Sequence, residues 1–239
     1  LKVDPILGGE EALQALIGEA HRLEMRIVLD GVFNHCGRGF WAFHHLLENG
    51  ELSPYRDWFQ VHHWPLNPFP KVGEECGYAC WWNDPALPKF NHQYPPVREY
   101  LLSVASYWIE RGIDGWRLDV ADEVPFDFWV EFRKTVKSLN SEVWIVGEIW
   151  GDARSWLNGE HFDGVMNYRV GWSTLSWVAG SKLRREYKNP SYPIESINSI
   201  GFLNVLNTTL NWYRPEVNNC QLNLLDSHDV PRSINTLKG

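Results

Sequence analysis

Long hydrophobic runs are missing: no stretch of about 18 apolar residues occurs in the 239 residues, which removes an ordinary membrane-spanning helix from consideration. Cysteine is scarce. Cys36, Cys76, Cys80 and Cys220 are too few and too scattered for a disulfide framework or a tight metal pattern. Cys76 and Cys80, four apart in a loop, read either as coincidence or as a local disulfide, and reduced thiols in a cytoplasmic protein are the plainer reading. Positive charge is outweighed: 22 Lys and Arg against 30 Asp and Glu leave a net charge of −8. That balance argues against nucleic acid or an anionic membrane as the main partner and suits a neutral substrate. Neither a phosphate-cradling loop nor a redox-cofactor motif is visible. No secretory leader opens the chain, but it begins at Leu1 rather than Met, so that absence carries little weight.

Aromatic residues, in contrast, are abundant, at 14% with fourteen tryptophans. Most tryptophans pack cores, yet flat aromatic faces also suit the apolar faces of sugar rings.

Hydrophobic periodicity predicts a helix over 9–24 carried by Leu13, Leu16, Ile17, Ala20 and Leu23. A short buried strand, MRIVLD, follows at 25–30. The stretch 36–96 is long, irregular and rich in Pro, Gly, Trp and His, which marks a functional loop or small subdomain. Val97, Tyr100, Leu101, Val104, Ala105, Trp108 and Ile109 form a helical stripe that Gly112 closes. The strand IDGWRLD comes next. Pro125 suits the first turn of another helix, with Trp129, Phe132, Val136 and Leu139 as its buried stripe. EVWIVGE at 142–148 and FDGVMN at 162–167 read as strands, 169–218 as less regular with a helix around 199–213, and CQLNLLD at 220–226 as the last strand. Strands apolar on both faces that alternate with helices predict a parallel α/β architecture.

Four of these strands end in polar clusters. MRIVLD leads to Asp30, Asn34 and His35; IDGWRLD delivers Arg117 and Asp119; VWIVGEIW delivers Glu148; QLNLLDSHD delivers His228 and Asp229. Alternation places Arg117 and Asp119 on one face of their strand. A lone acid at a strand end is usually a turn or cap, and Asp122 with Glu123 fits a cap of the next helix. The paired histidines at 44–45 and 62–63 read as loop decoration. The weight lies in the recurrence: in a parallel barrel, polar residues at the carboxyl ends of several strands converge on one mouth.

DGVFNH, GWRLDVADE, GEIW and LLDSHD resemble, in order and spacing, the four signature segments of the α-amylase family of glycoside hydrolases. LPKFN at 87–91 is similar to a fifth. RLDVADE, LPKFN and VDPILGG resemble most the neopullulanase and cyclomaltodextrinase branch. The resemblance implies a (β/α)8 TIM-barrel catalytic domain over 1–239, with 36–96 as its inserted loop subdomain. It also implies Asp119 as nucleophile, Glu148 as general acid/base and Asp229 as a third carboxylate gripping sugar hydroxyls. Arg117, His35 and His228 fall on the family's substrate-pocket positions, and Glu123 matches the acid of the branch's Asn-Glu pair. Trp150 lies where an acceptor sugar would stack, or else it packs. Asp122 departs from the branch's Asn. The calcium site that many amylases build at the Asn34 position thereby loses a usual partner, so no metal and no cofactor are expected.

The chemistry fits the residues. Retention requires two carboxyl groups about 5 Å apart, one ionised to attack the anomeric carbon and one protonated to help the leaving oxygen depart. Arg117 favours the ionised nucleophile, while neighbouring carboxylates suit Glu148 to acid work. The expected activity is hydrolysis of α-glucosidic bonds, mainly α-1,4, in maltodextrins, cyclomaltodextrins, pullulan or starch-like glucans. A transglycosylase or an α-1,6 debranching enzyme is the alternative, and a non-catalytic binding subunit the remote one. A full barrel takes about 250 residues without large insertions. Here five strands are counted, corresponding by resemblance to the third through seventh, so the chain is expected to be part of a longer enzyme.

Overall fold

The computed structural model describes residues 1–184, 186 and 192–237. They form two compact units, Leu1–Trp144 and Ile145–Gly239. The irregular stretch expected over 169–218 includes 185 and 187–191, which lie outside the described residues.

In the first unit, α1 (Gly9–Arg22) starts after the left-handed Gly8 and buries Ile17 and Ala20. Leu16 and Leu23, predicted for the same buried stripe, stand exposed instead. Strand β1 (Val28–Gly31) pairs in parallel with β2 (Gly115–Leu118), Asp30 opposite Arg117. The strand expected from 25 begins only at 28, where this pairing starts. β2 is buried throughout, whereas Val28 and Asp30 of β1 are exposed, so the expectation of burial on both faces holds for β2 and fails for β1.

A clamp built from an Asp-Gly pair sets the register. The backbone N–H of Asp114 donates to the Ile27 carbonyl at 2.7 Å, and its carboxylate accepts from the Ile27 N–H at 2.8 Å. His21 and Arg26 also reach that carboxylate. Burial opposes the charge, but the Ile27 amide, His21 and Arg26 together hold Asp114 below the usual carboxylate range. The second unit repeats the device: Asp163 donates to the Ile145 carbonyl at 2.8 Å and accepts from the Ile145 amide at 2.9 Å. Both aspartates precede a glycine that opens a strand.

The stretch 36–96 is ordered around aromatic packing. It contains α2 (Trp41–Asn49), whose Phe43 meets Phe59 and Tyr78 edge-on, each at 4.9 Å between ring centroids. Isolated bridges, His35 with Lys89 and Phe59 with Phe90 among them, tie the loop back on itself. Helix α3 (Pro95–Ile109) then buries Val97, Leu101, Ala105 and Ile109, and Gly112 turns the chain at φ 95°. Helix α4 (Phe126–Leu139) buries Phe128, Trp129, Phe132 and Val136. Leu139, expected at the end of that stripe, is 44% exposed because it sits in the last turn, while Phe128 takes the inward place. Arg98 of α3 bridges to Asp127 and Glu131 of α4 at 3.0 and 2.8 Å.

His92 closes the loop against this core. It is only 6% exposed, its Nε2 has no hydrogen-bond partner, and it meets Phe128 edge-on. Burial, with Arg98 adding to it, pushes the imidazole down to about 4. In the unfolded chain a histidine titrates near 6.5, so between those values the unfolded state binds a proton that the fold refuses. Stability is therefore expected to fall as pH drops from about 6.5 to about 4, by on the order of 3 kcal/mol from this residue. Urea unfolding of the full-length protein at pH 7 and pH 4.5 checks it, since His92→Gln should flatten the difference.

In the second unit, β3 (Trp144–Gly147) pairs in parallel with β4 (Gly164–Val165). The predicted strand at 220–226 is reduced to one parallel bridge, Met166 with Leu222. The Gln221 side chain, not its backbone, accepts from the Val165 amide at 3.0 Å, which interrupts a ladder there. Gly164 is required at this approach, because a Cβ would collide with the Cys220 carbonyl. Helix α5 (Tyr168–Ala179) occupies a stretch expected to be less regular. Its Gly171, Ser173 and Ser176 weaken helix propensity, but they are buried, and Gly171 admits the Leu224 carbonyl. Helix α6 (Ser199–Trp212) matches the expected one, and a short α7 (Pro215–Asn218) follows. Among the described residues no helix is long and apolar enough to cross a membrane.

Candidate active site

Asp119 leaves β2 beside its own arginine. Arg117 Nη1 donates to Asp119 Oδ1 at 2.7 Å and to Asp30 Oδ1 at 2.8 Å. Period-two alternation explains the first contact and the Asp30–Arg117 register the second. The Asp119 amide donates to the Gly31 carbonyl at 3.0 Å, so its backbone is held from β1 and its side chain by Arg117 of β2. Arg117 is nearly buried, which makes this ion pair less screened than a surface one.

The next residue is strained. Val120 adopts φ 36° and ψ 50°, a left-handed conformation that a β-branched side chain strongly disfavours. Outliers of this kind cost about 1–3 kcal/mol and gather where a functional side chain must be aimed. Val120→Gly is expected to raise stability by about 1 kcal/mol and to lower kcat several-fold as Asp119 loses its fixed direction. Thermal unfolding and steady-state kinetics of the full-length variant read the two effects separately.

His35, on the segment after β1, is buried and stacks on Trp81 with centroids 5.0 Å apart and planes 8° from parallel. Burial holds its imidazole below the usual range, with Asp119 and Glu123 pulling the other way. A mainly neutral ring at neutral pH can donate or accept a hydrogen bond without adding charge. Glu123 spends both oxygens locally: Oε1 accepts from Trp81 Nε1 and Oε2 from Lys89 Nζ, each at 3.0 Å. It therefore anchors the Trp81 ring and the LPKFN segment. Burial, with Glu123 adding to it after an opposing backbone contact, pushes Asp122 upward. Trp81 was missed by sequence reasoning; its signal was the tryptophan pair just before LPKFN.

In the second unit Glu148 follows β3 and is 3% exposed. The Tyr168 hydroxyl donates to Glu148 Oε1 at 3.4 Å and lies 3.1 Å from Ser227 Oγ. Ser227 Oγ in turn accepts from the Asp229 amide at 3.1 Å. His228 Nε2 lies 3.2 Å from Asp229 Oδ2, both side chains open to solvent. Trp150 stacks on Tyr168, 4.0 Å between centroids and 11° between planes, so one of its faces is taken up by packing. Tyr168 and Ser227 were not foreseen. The only hint was a tyrosine at the end of VMNY, where a strand finishes.

The first unit thus gathers Asp30, Arg117 and Asp119, and joins His35 to Glu123 through Trp81. The second joins Trp150, Glu148 and the His228–Asp229 segment through Tyr168 and Ser227. The paired histidines serve the loop: His44 lies 3.2 Å from Glu48, His45 hydrogen-bonds Ser53, and His63 lies 3.1 Å from Glu75. Asn34 Oδ1 is buried without a hydrogen-bond partner, which by itself would suit a cation. A calcium ion takes six to eight oxygens. Among the described residues no group of three or more His, Cys, Asp or Glu is arranged to hold a metal.

The whole chain, residues 1–239, matches the family model for the alpha amylase catalytic domain. It is similar to a cyclomaltodextrinase of Geobacillus thermopakistaniensis (strain MAS1), 41% identical over all of this chain and 38% of that protein. Neopullulanase 2 of Thermoactinomyces vulgaris is likewise 41% identical, over all of this chain and 38% of its own length. Among solved structures, Ttha1563 from Thermus thermophilus superposes with a TM-score of 0.95 at 49% identity, covering 99% of this chain and 50% of that one. The chain spans 38% of the length of these curated relatives. Its strands, helices and signature segments are those of the (β/α)8 catalytic domain, and the chain belongs to the α-amylase family of glycoside hydrolases.

Proposed function

We propose that the full-length protein is a retaining glycosidase that cleaves α-glucosidic bonds, mainly α-1,4, in maltodextrins, cyclomaltodextrins, pullulan or starch-like glucans. The observation that carries this reading is an ion-paired acid at the end of one strand and a buried acid at the end of another. Asp119 is ion-paired to a nearly buried guanidinium, and Glu148 is buried with the Tyr168 hydroxyl donating to it. An opposite charge beside a carboxylate suits the nucleophile role, and burial of a carboxyl suits the acid role.

In the proposed reaction Asp119 attacks the anomeric carbon as Glu148 protonates the departing glycosidic oxygen. Arg117 keeps an opposite charge beside the nucleophile. Asp229 adds negative potential where positive charge develops on the sugar. Water then cleaves the glycosyl-enzyme, with Glu148 now acting as base. His35 and His228 hydrogen-bond sugar hydroxyls, and Glu123 acts by holding the Trp81 ring that stacks on His35. No step is routed through a metal or cofactor. The cyclomaltodextrinase and neopullulanase names of the relatives support cyclomaltodextrins and pullulan as substrates. The four free cysteines support a reducing, cytoplasmic setting.

Digestion of starch, pullulan and cyclomaltodextrin, followed by NMR from the first minutes, tests the reading. α-Configured first products of smaller size are expected. β-Configured first products contradict a retaining mechanism, and products longer than the substrate point to transfer.

A further inference from the structure

The hydrogen bonds in the second unit run in one direction. The Asp229 amide can only donate, and it donates to Ser227 Oγ. Tyr168 has a single hydroxyl proton and gives it to Glu148 Oε1. With the tyrosine proton directed at Glu148, the 3.1 Å contact between Ser227 and Tyr168, which either hydroxyl can donate, is donated by the serine. Each member thereby polarises the next toward Glu148, and such chains are stronger than their isolated links. The Tyr168 ring is buried, clamped by the face of Trp150 and located at the first residue of α5, so its hydroxyl has little freedom to leave. The 3.4 Å final link is long for an O–H donor, as catalytic hydrogen bonds often are before substrate binds.

We propose that Tyr168 and Ser227 are positioning residues that hold the Glu148 carboxyl in the orientation for proton transfer and tie it to the backbone of the Asp229 segment. The proposal rests on the acid/base reading of Glu148. Its substance is that the acid and the third carboxylate are mechanically coupled: one serine hydroxyl takes the Asp229 amide and passes its own proton to the tyrosine that orients Glu148. Neither residue touches the reacting atoms. Loss of either therefore harms proton delivery and leaves attack by Asp119 intact.

Substrates with different leaving groups separate this role from a merely structural one. A maltodextrin needs its departing oxygen protonated, whereas fluoride leaves α-maltosyl fluoride unaided, and kcat/KM for each reports the first bond-breaking step. In the full-length protein, Tyr168→Phe keeps the stacked ring and removes only the hydroxyl. Its kcat/KM on maltohexaose is expected to fall about tenfold while that on α-maltosyl fluoride stays within about twofold. Ser227→Ala should show the same selectivity, and the double variant should lose little more than Tyr168→Phe alone. Equal losses on both substrates, or no loss on maltohexaose in both single variants, would overturn the proposal. Glu148→Gln is the control for the underlying reading. If it still cleaves maltohexaose, the acid/base assignment fails; if it loses maltohexaose and keeps the fluoride while the Tyr168 and Ser227 variants stay wild-type, only the coupling fails.

Discussion

Asp119→Asn in the full-length protein is expected to lower kcat on maltodextrins by at least about 10⁴-fold. The substitution is nearly isosteric, and Arg117 keeps its 2.8 Å bond to Asp30, so the fold around β2 should persist. What disappears is the anionic oxygen that would bond to the anomeric carbon. KM should change far less than kcat, because substrate recognition is assigned to other groups such as His35 and His228. Far-UV circular dichroism and thermal unfolding within a few degrees of wild type would show that the loss is chemical. Turnover within about tenfold of wild type would remove Asp119 from the nucleophile role.

The second large effect is expected at Glu148. Glu148→Gln should lose about 10³–10⁴-fold in kcat/KM on maltodextrins and much less in kcat/KM on α-maltosyl fluoride, whose leaving group needs no proton. The amide still accepts from Tyr168, so the hydrogen-bonded chain survives the substitution and the defect is confined to proton transfer. With Glu148→Ala, added azide should restore turnover of the fluoride and yield an α-glycosyl azide, since the small anion replaces water where the base is missing. Restored activity with a β-glycosyl azide, or none at all, would contradict the assignment.

Particular residues show how far the sequence carries. The polar ends of four segments, Asp30, Arg117–Asp119, Glu148 and His228–Asp229, stood out in the sequence because polar residues recur at the ends of apolar runs; the structure buries Arg117 and Glu148 and leaves Asp30, His228 and Asp229 open to solvent. The register of β1 on β2 turned the same-face expectation for Arg117 and Asp119 into a direct ion pair. Helices α1, α3 and α4 were legible from periodicity, since each carries apolar residues at helical spacing, and α6 was expected around 199–213 without a stripe to fix it. Helix α5 was not legible, because Gly171, Ser173 and Ser176 stand among Tyr168, Leu175 and Ala179 on its buried face and break the apolar stripe, with Gly171 admitting the Leu224 carbonyl. The last strand was over-read for the converse reason: 220–226 has strand composition, but its backbone pairing is confined to Leu222, and beside it the Gln221 side chain takes the Val165 amide. The aromatic surplus pointed only partly to sugar. Trp58, Trp116 and Trp129 are buried core residues, while Trp81 and Trp150 stack on His35 and Tyr168. Tyr168 and Ser227 were invisible because a hydrogen-bond chain across three segments leaves no spacing pattern.

The account stands on Asp119 forming a covalent bond to sugar, and trapping that bond tests it most directly. The full-length protein would be incubated with 5-fluoro-α-glucosyl fluoride, whose glycosyl-enzyme forms faster than it hydrolyses, then digested and sequenced by tandem mass spectrometry. The expected result is a single fluoroglucosyl adduct on the Asp119 side chain, absent from Asp119→Asn. An adduct on Glu148, Asp229 or any other residue would contradict it.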